Sequence, residues 1–172
     1  MNRIEKGSLL LLAIIVAFNI FFGLGSIPLL DPDEPVYAET AREMIQFNDY
    51  LSPRIYNEYW FDKPPMYYWF VAGAMHVFGD GEFAARFPAA LMAFLTVIML
   101  YCSITRLFNE RAGFWSALVL ATSVQFFYLG KAAVTDTTLL FFLTGSLLCY
   151  LHKQYWLMYV CMAWLLYTSD AA

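Results

Sequence analysis

Asp31, Asp33 and Glu34 stand within four residues of one another in the run DPDEP. Like charges this close repel, which raises a carboxyl pKa or invites a cation. Such a cluster serves as a general base, as a divalent metal site, or as nothing more than a solvated loop. Glu39 and Glu43 follow at i, i+4 spacing with Arg42 between them. Lys63 lies in FDKPPMYYW, where Pro64 and Pro65 stiffen the backbone and point the ammonium in a fixed direction. A rigid cation at headgroup level suits a lipid phosphate, the alternative being a snorkelling lysine. Asp136 ends KAAVTD, five residues after Lys131, and is a candidate N-cap for the helix that follows. His76 sits in an apolar stretch with no second histidine near it and reads as structural. Cys102, Cys149 and Cys161 each sit inside apolar runs and read as small hydrophobes.

The elements that must position these groups follow from composition. The 172 residues are 61% hydrophobic and 14% charged, far below the charge a soluble domain carries. A soluble fold of this composition would expose large apolar patches. The expected class is therefore all-α integral membrane. Ten of the fourteen acids fall between Asp31 and Glu82, and no basic patch suited to nucleic acid exists.

Residues 8–27 carry no charge and are long enough to cross a bilayer. Further spans are expected at about 83–107, 112–129, 137–151 and 154–167, about five in all. Between the first two spans lies a loop, 30–65, that holds most of the chemistry. Within it Glu34 to Phe47 reads as a short amphipathic helix, with Asp33 as N-cap, Pro35 in its first turn, and Val36, Ala38, Ala41, Met44 and Ile45 on the apolar face. Residues 48–65 read as ordered and non-helical. Residues 66–78 are apolar but too short to span, so an interfacial helix is expected.

Placing the N-terminus inside puts Arg3, Lys6, Arg106, Arg111 and Lys153 in inner positions, as the positive-inside rule requires. His152 then becomes an inner headgroup contact. Loop 30–65 and loop 130–136 both fall on the outer face. The last span stops early, at TSDAA, so residues 168–172 are expected to be a non-native or truncated tail.

The runs DPDEPVYAETAREM, FDKPPMYYW and GEFAARFPAAL, in that order after one span, resemble the N-terminal third of bacterial glycosyltransferases that use polyprenyl-phosphate sugars. These include aminoarabinose transferases acting on lipid A and related protein O-mannosyltransferases, which share the GT-C membrane fold. The resemblance covers about residues 30–138. It implies transfer of a sugar from a polyprenyl-phosphate donor to a lipid A-like glycolipid or a protein hydroxyl at the outer face of the inner membrane. It implies Asp33 as the catalytic carboxylate, with Asp136 as a second, and Lys63 on the lipid phosphate. Glu34 and Arg42 join Lys63 as candidate substrate contacts, and Asp62 helps hold a divalent metal in some relatives. Some relatives carry an Arg where this chain has Pro35 and Val36, so a phosphate contact from there is not expected. The chain is expected to be an N-terminal fragment, inactive without the remaining helices. A transporter and a non-catalytic membrane fragment are the alternatives. Transporters place charges near the bilayer midplane, whereas the acids here collect at the surface.

Overall fold

The computed structural model describes residues 3–30 and 32–168, with side chains from Gly7 to Tyr167. Asp31 of the acidic cluster, residues 169–172 of the expected tail, and the side chains of Arg3 and Lys6 lie outside that description. Eight helices and one small hairpin make up the described residues: α1 (Arg3–Phe21), α2 (Asp33–Phe47), β1 (Arg54–Ile55), β2 (Glu58–Tyr59), α3 (Met66–Phe78), α4 (Glu82–Leu107), α5 (Glu110–Ala121), α6 (Val124–Leu129), α7 (Asp136–Leu151) and α8 (Tyr155–Thr168). Among the described residues only α4 is long and apolar enough to cross a membrane by length and composition, while 7–21, 136–151 and 155–167 form shorter apolar helices.

α4 is the axis. A helix of 26 residues extends about 39 Å. Ala84, Ala85, Ala89, Ala90 and Ala93 are buried along it, so neighbouring backbones pack closely. Two cores meet on it. The lower one joins α1, α4 and α5 through Leu12, Val16, Ile20, Val97, Tyr101 and Ala117. The upper one joins α2, α3 and the start of α4 through Tyr37, Ala41, Met44, Tyr67, Tyr68 and Val71.

The chain leaves the expected helix bounds where small or hydroxyl side chains intervene. α1 ends at Phe21 rather than near Ile27, because Gly23 takes a left-handed φ of 69° and breaks the ladder. Gly25 passes under α4 so closely that a Cβ there would meet Phe83 Cβ at 2.9 Å. The expected single helix over 112–129 is two helices, α5 and α6. Thr122 Oγ1 donates back to the Leu118 carbonyl and Ser123 is extended, which interrupts the helix.

Asp33 and Asp136 are not N-caps. Pro32 and Thr135 hold those positions, and each aspartate is the first helical residue. α2 buries Glu34, Tyr37, Ala38, Thr40, Ala41, Glu43 and Met44, a face centred one step away from the expected one. Residues 48–65 are ordered and mostly non-helical, with a hairpin that reverses at Tyr56 and Asn57, both at positive φ. The Glu43 carboxylate accepts from the Asn57 N–H with both oxygens at 3.1 Å, pinning the hairpin to α2. Trp69 Nε1 donates to the Tyr50 carbonyl and fixes α3 against the same loop.

Candidate functional site

The α2 N-terminus and the α7 N-terminus converge on one cavity of about 170 Å³. Asp33 and Asp136 both line it and both are exposed, together with Glu34, Tyr128, Leu30 and Val134. Two carboxylates 103 positions apart in sequence therefore share one solvent-open space.

Glu34 holds that space in shape. It is only 3% exposed, and Arg86 of α4 is 4% exposed. Arg86 Nε donates to Glu34 Oε1 at 2.8 Å and Nη2 to Oε2 at 2.7 Å, a bidentate pair. The remaining Arg86 donors reach the carbonyls of Leu24 (3.1 Å), Ile27 (2.6 Å) and Pro28 (2.9 Å), so all five guanidinium N–H groups have acceptors. These carbonyls belong to the unwound segment after α1, which Arg86 thus caps. Glu34 in turn accepts from the Leu30 N–H and the Ala133 N–H, each at 2.6 Å. One ion pair ties together five segments: the α1 exit, the DPDE turn, α2, α4 and the loop before α7. Burial alone would raise the Glu34 carboxyl, but Arg86 and the two backbone N–H groups outweigh it and hold the pKa below its ordinary value. Glu34, expected from its position beside Asp33 as a substrate contact, has both oxygens occupied by protein groups.

Lys63 is not among the residues that line this cavity, and it is held on Tyr37, the residue one helical turn along α2 from Asp33. Its Nζ donates to the Tyr37 hydroxyl at 2.8 Å and lies 5.2 Å from the centre of that ring. Asp33 and Tyr37 are four residues apart and so share a helix face. Tyr37 therefore fixes where the Lys63 ammonium sits. Tyr67 packs edge-on against Tyr37 at 5.0 Å between ring centres. It is 1% exposed, and its hydroxyl has no hydrogen-bond partner among the described residues. Burial pushes the Tyr67 phenol well up, and the nearby Tyr37, Glu34 and Asp136 push the same way.

The other predicted residues lie elsewhere. Arg42, on the exposed side of α2, pairs with Asp80 at 2.7 Å and with Glu39 at 2.7 Å, strapping α2 to the α3–α4 turn. His76 meets the Tyr50 hydroxyl at 2.9 Å, consistent with a structural role. Asp62 is exposed. Among the described residues no three His, Cys, Asp or Glu side chains group as a metal site. Arg86 and Tyr37 are the contributors that motif reading missed. Arg86 did carry a signal, since a charge at the head of an apolar helix calls for a partner.

The fold that frames these acids matches solved structures. It superposes on the crystal structure of ArnT from Cupriavidus metallidurans in the apo state with a TM-score of 0.88, at 24% identity, over 97% of this chain and 34% of that one. The structure of the same protein bound to undecaprenyl phosphate gives 0.88 over 95% and 32%. The profile of the dolichyl-phosphate-mannose-protein mannosyltransferase family matches residues 62–168, and the chain belongs to that family. Among its relatives, the undecaprenyl phosphate-alpha-4-amino-4-deoxy-L-arabinose arabinosyl transferase of Yersinia enterocolitica is 34% identical over 150 residues. The arabinosyl transferase 2 of Proteus mirabilis is 30% identical over 149. Each match covers 86% of this chain, which spans 27% of the length of either relative.

Proposed function

We propose that the complete protein transfers a sugar from a polyprenyl-phosphate donor to an acceptor oxygen at the outer face of the inner membrane. The observation that carries this reading is the cavity lined by both Asp33 and Asp136. The acceptor oxygen attacks the anomeric carbon, the bond from that carbon to the phosphate oxygen breaks, and its electron pair leaves with the polyprenyl phosphate. Asp33 takes or orients the acceptor's proton. Lys63 neutralises the charge that grows on the departing phosphate. Asp136 positions sugar hydroxyls or the acceptor. The apolar side chains that α3 leaves outside the core, Phe70 and Val77, guide the prenyl chain.

An acceptor that is itself a phosphate needs little deprotonation, and the base role weakens accordingly. The names of the relatives favour undecaprenyl phosphate as carrier and 4-amino-4-deoxy-L-arabinose as sugar. The resemblance adds a lipid A-like glycolipid or a protein hydroxyl as acceptor. In this reading α1, α4, α5 with α6, α7 and α8 are five spans of a GT-C domain, the N-terminus is cytoplasmic, α3 is interfacial, and loops 30–65 and 130–136 face outward.

The test is the full-length protein reconstituted with a radiolabelled polyprenyl-phosphate sugar and either acceptor. Label appearing on an acceptor, with equimolar release of polyprenyl phosphate, supports the reading. A folded wild-type protein that moves no label to either acceptor overturns it.

A further inference from the structure

Two cavities outside this mechanism lead from the side of α1 to the acids. The first, about 590 Å³, is walled by Ile14, Ile15, Phe18, Phe22, Phe127 and Lys131. The second, about 400 Å³, shares Phe22, Phe127 and Lys131 with the first. It shares Leu30, Glu34, Tyr128 and Ala132 with the acid cavity. Shared walls set the three side by side, from α1 to the acids.

The two ends of this row differ in chemistry. Ile14, Phe18 and Phe22 recur every four residues and form one exposed stripe of about 12 Å. Phe18 and Phe22 stack with ring centres 4.9 Å apart, which keeps that wall flat. At the top stands Lys131. Its Nζ donates to the Phe22 carbonyl at 2.8 Å and lies 4.7 Å above the centre of the Phe127 ring. Among the described residues no carboxylate pairs with it. Burial lowers its pKa, and no anion offsets that loss. An apolar trough that ends in an uncompensated cation matches an amphiphile with an anionic head. The second cavity adjoins the one that Asp33 and Asp136 line, so the rest of such a head would lie near them.

We propose that this row of cavities seats the lipid acceptor: a lipid of the outer leaflet with a phosphate on its head, one acyl chain against the Ile14–Phe22 stripe, and the phosphate on Lys131. The assignment rests on the transferase reading above. It names the acceptor's entry route.

The probe is phosphatidic acid carrying a diazirine on its acyl chain, photolysed with the full-length protein in nanodiscs. Labelling is expected on the peptide bearing Ile14 to Phe22, and the same probe built on phosphatidylcholine is expected to label it far less. Lys131→Ala should cut that labelling about tenfold, and Lys131→Arg should retain most of it, because a charge-assisted phosphate contact is worth about that factor. In the transfer assay Lys131→Ala should raise the KM for a phosphorylated lipid acceptor and leave the donor KM unchanged. Equal labelling by the two lipids, equal labelling of the Lys131→Ala protein, or label found only away from α1 overturns the proposal. Asp33→Asn separates the two readings. Full transfer in that variant sinks the transferase mechanism, while the α1 labelling still stands or falls by itself.

Discussion

Glu34→Gln keeps the shape of the side chain and deletes its charge. In the native protein the Glu34 and Arg86 side chains are 4% and 5% exposed and 2.7 Å apart. Arg86 stays ionised, so the variant leaves a buried guanidinium facing an amide. Removing one partner of a buried pair costs about 3–5 kcal/mol. The glutamine oxygen also cannot serve Arg86, Leu30 and Ala133 as two carboxylate oxygens do. An orphaned backbone N–H costs about 1–3 kcal/mol, which puts the expected loss at the upper end of that range. The assay is reversible unfolding of the full-length protein in mixed micelles, with Arg42→Ala as the control. Arg42 also pairs at 2.7 Å, but the two side chains are 49% and 52% exposed, and such pairs are worth about 1 kcal/mol or less. Acidity gives a second reading. The folded pKa of Glu34 lies below its ordinary value of 4.5, so the unfolded chain binds its proton more tightly. The stability from Glu34 is present above pH 4.5 and is lost as pH falls through the folded pKa. The gap between wild type and Glu34→Gln should therefore narrow below pH 4.5. A variant within about 0.5 kcal/mol of wild type at neutral pH, the range of ordinary surface changes, would refute the keystone role.

Three further outcomes follow from the packing. Gly113→Ala places a Cβ against Thr105 Oγ1 and 2.9 Å from the Tyr101 carbonyl oxygen, so α5 must shift from α4. A loss of about 1–3 kcal/mol is expected in the same unfolding assay. Tyr67→Phe removes a buried hydroxyl that has no partner among the described residues, so stability should hold or rise by about 1 kcal/mol. Lys63→Met keeps the apolar stem and removes the charge beside Tyr37. It should lower donor turnover about a hundredfold in the transfer assay, with unfolding little changed, since one preorganised donor is worth about that much.

The sequence and the structure agree where spacing and composition act locally. Apolar runs placed α4 and α7 nearly to the residue, and the lone Gly-Asp-Gly break after Phe78 set the end of α3. Asp33 and Lys63 stand out as candidates because each sits in a short motif rich in Pro or acid, and Asp136 because it closes a short loop ahead of an apolar run. What was not legible is pairing across distance. Nothing near Glu34 announces Arg86, 52 residues later, and without that partner Glu34 looks as free as Asp33. Tyr37 reads as one aromatic among many until Lys63 lands on it. The split between α5 and α6 rests on two adjacent hydroxyl residues, Thr122 and Ser123, too weak a pattern against an apolar background. The hairpin turn lacks the glycine that usually marks positive φ, and Tyr56 and Asn57 adopt it because Glu43 holds the turn from below.

The central claim is that Asp33 acts on the acceptor in the cavity it shares with Asp136. Asp33 is exposed, so Asp33→Asn changes the chemistry of the cavity without disturbing the Glu34–Arg86 pair. The decisive measurement is transfer of labelled sugar to a hydroxyl acceptor by full-length Asp33→Asn protein whose unfolding midpoint matches wild type. Transfer should be abolished while donor binding persists. Near-normal transfer by that folded variant would contradict it.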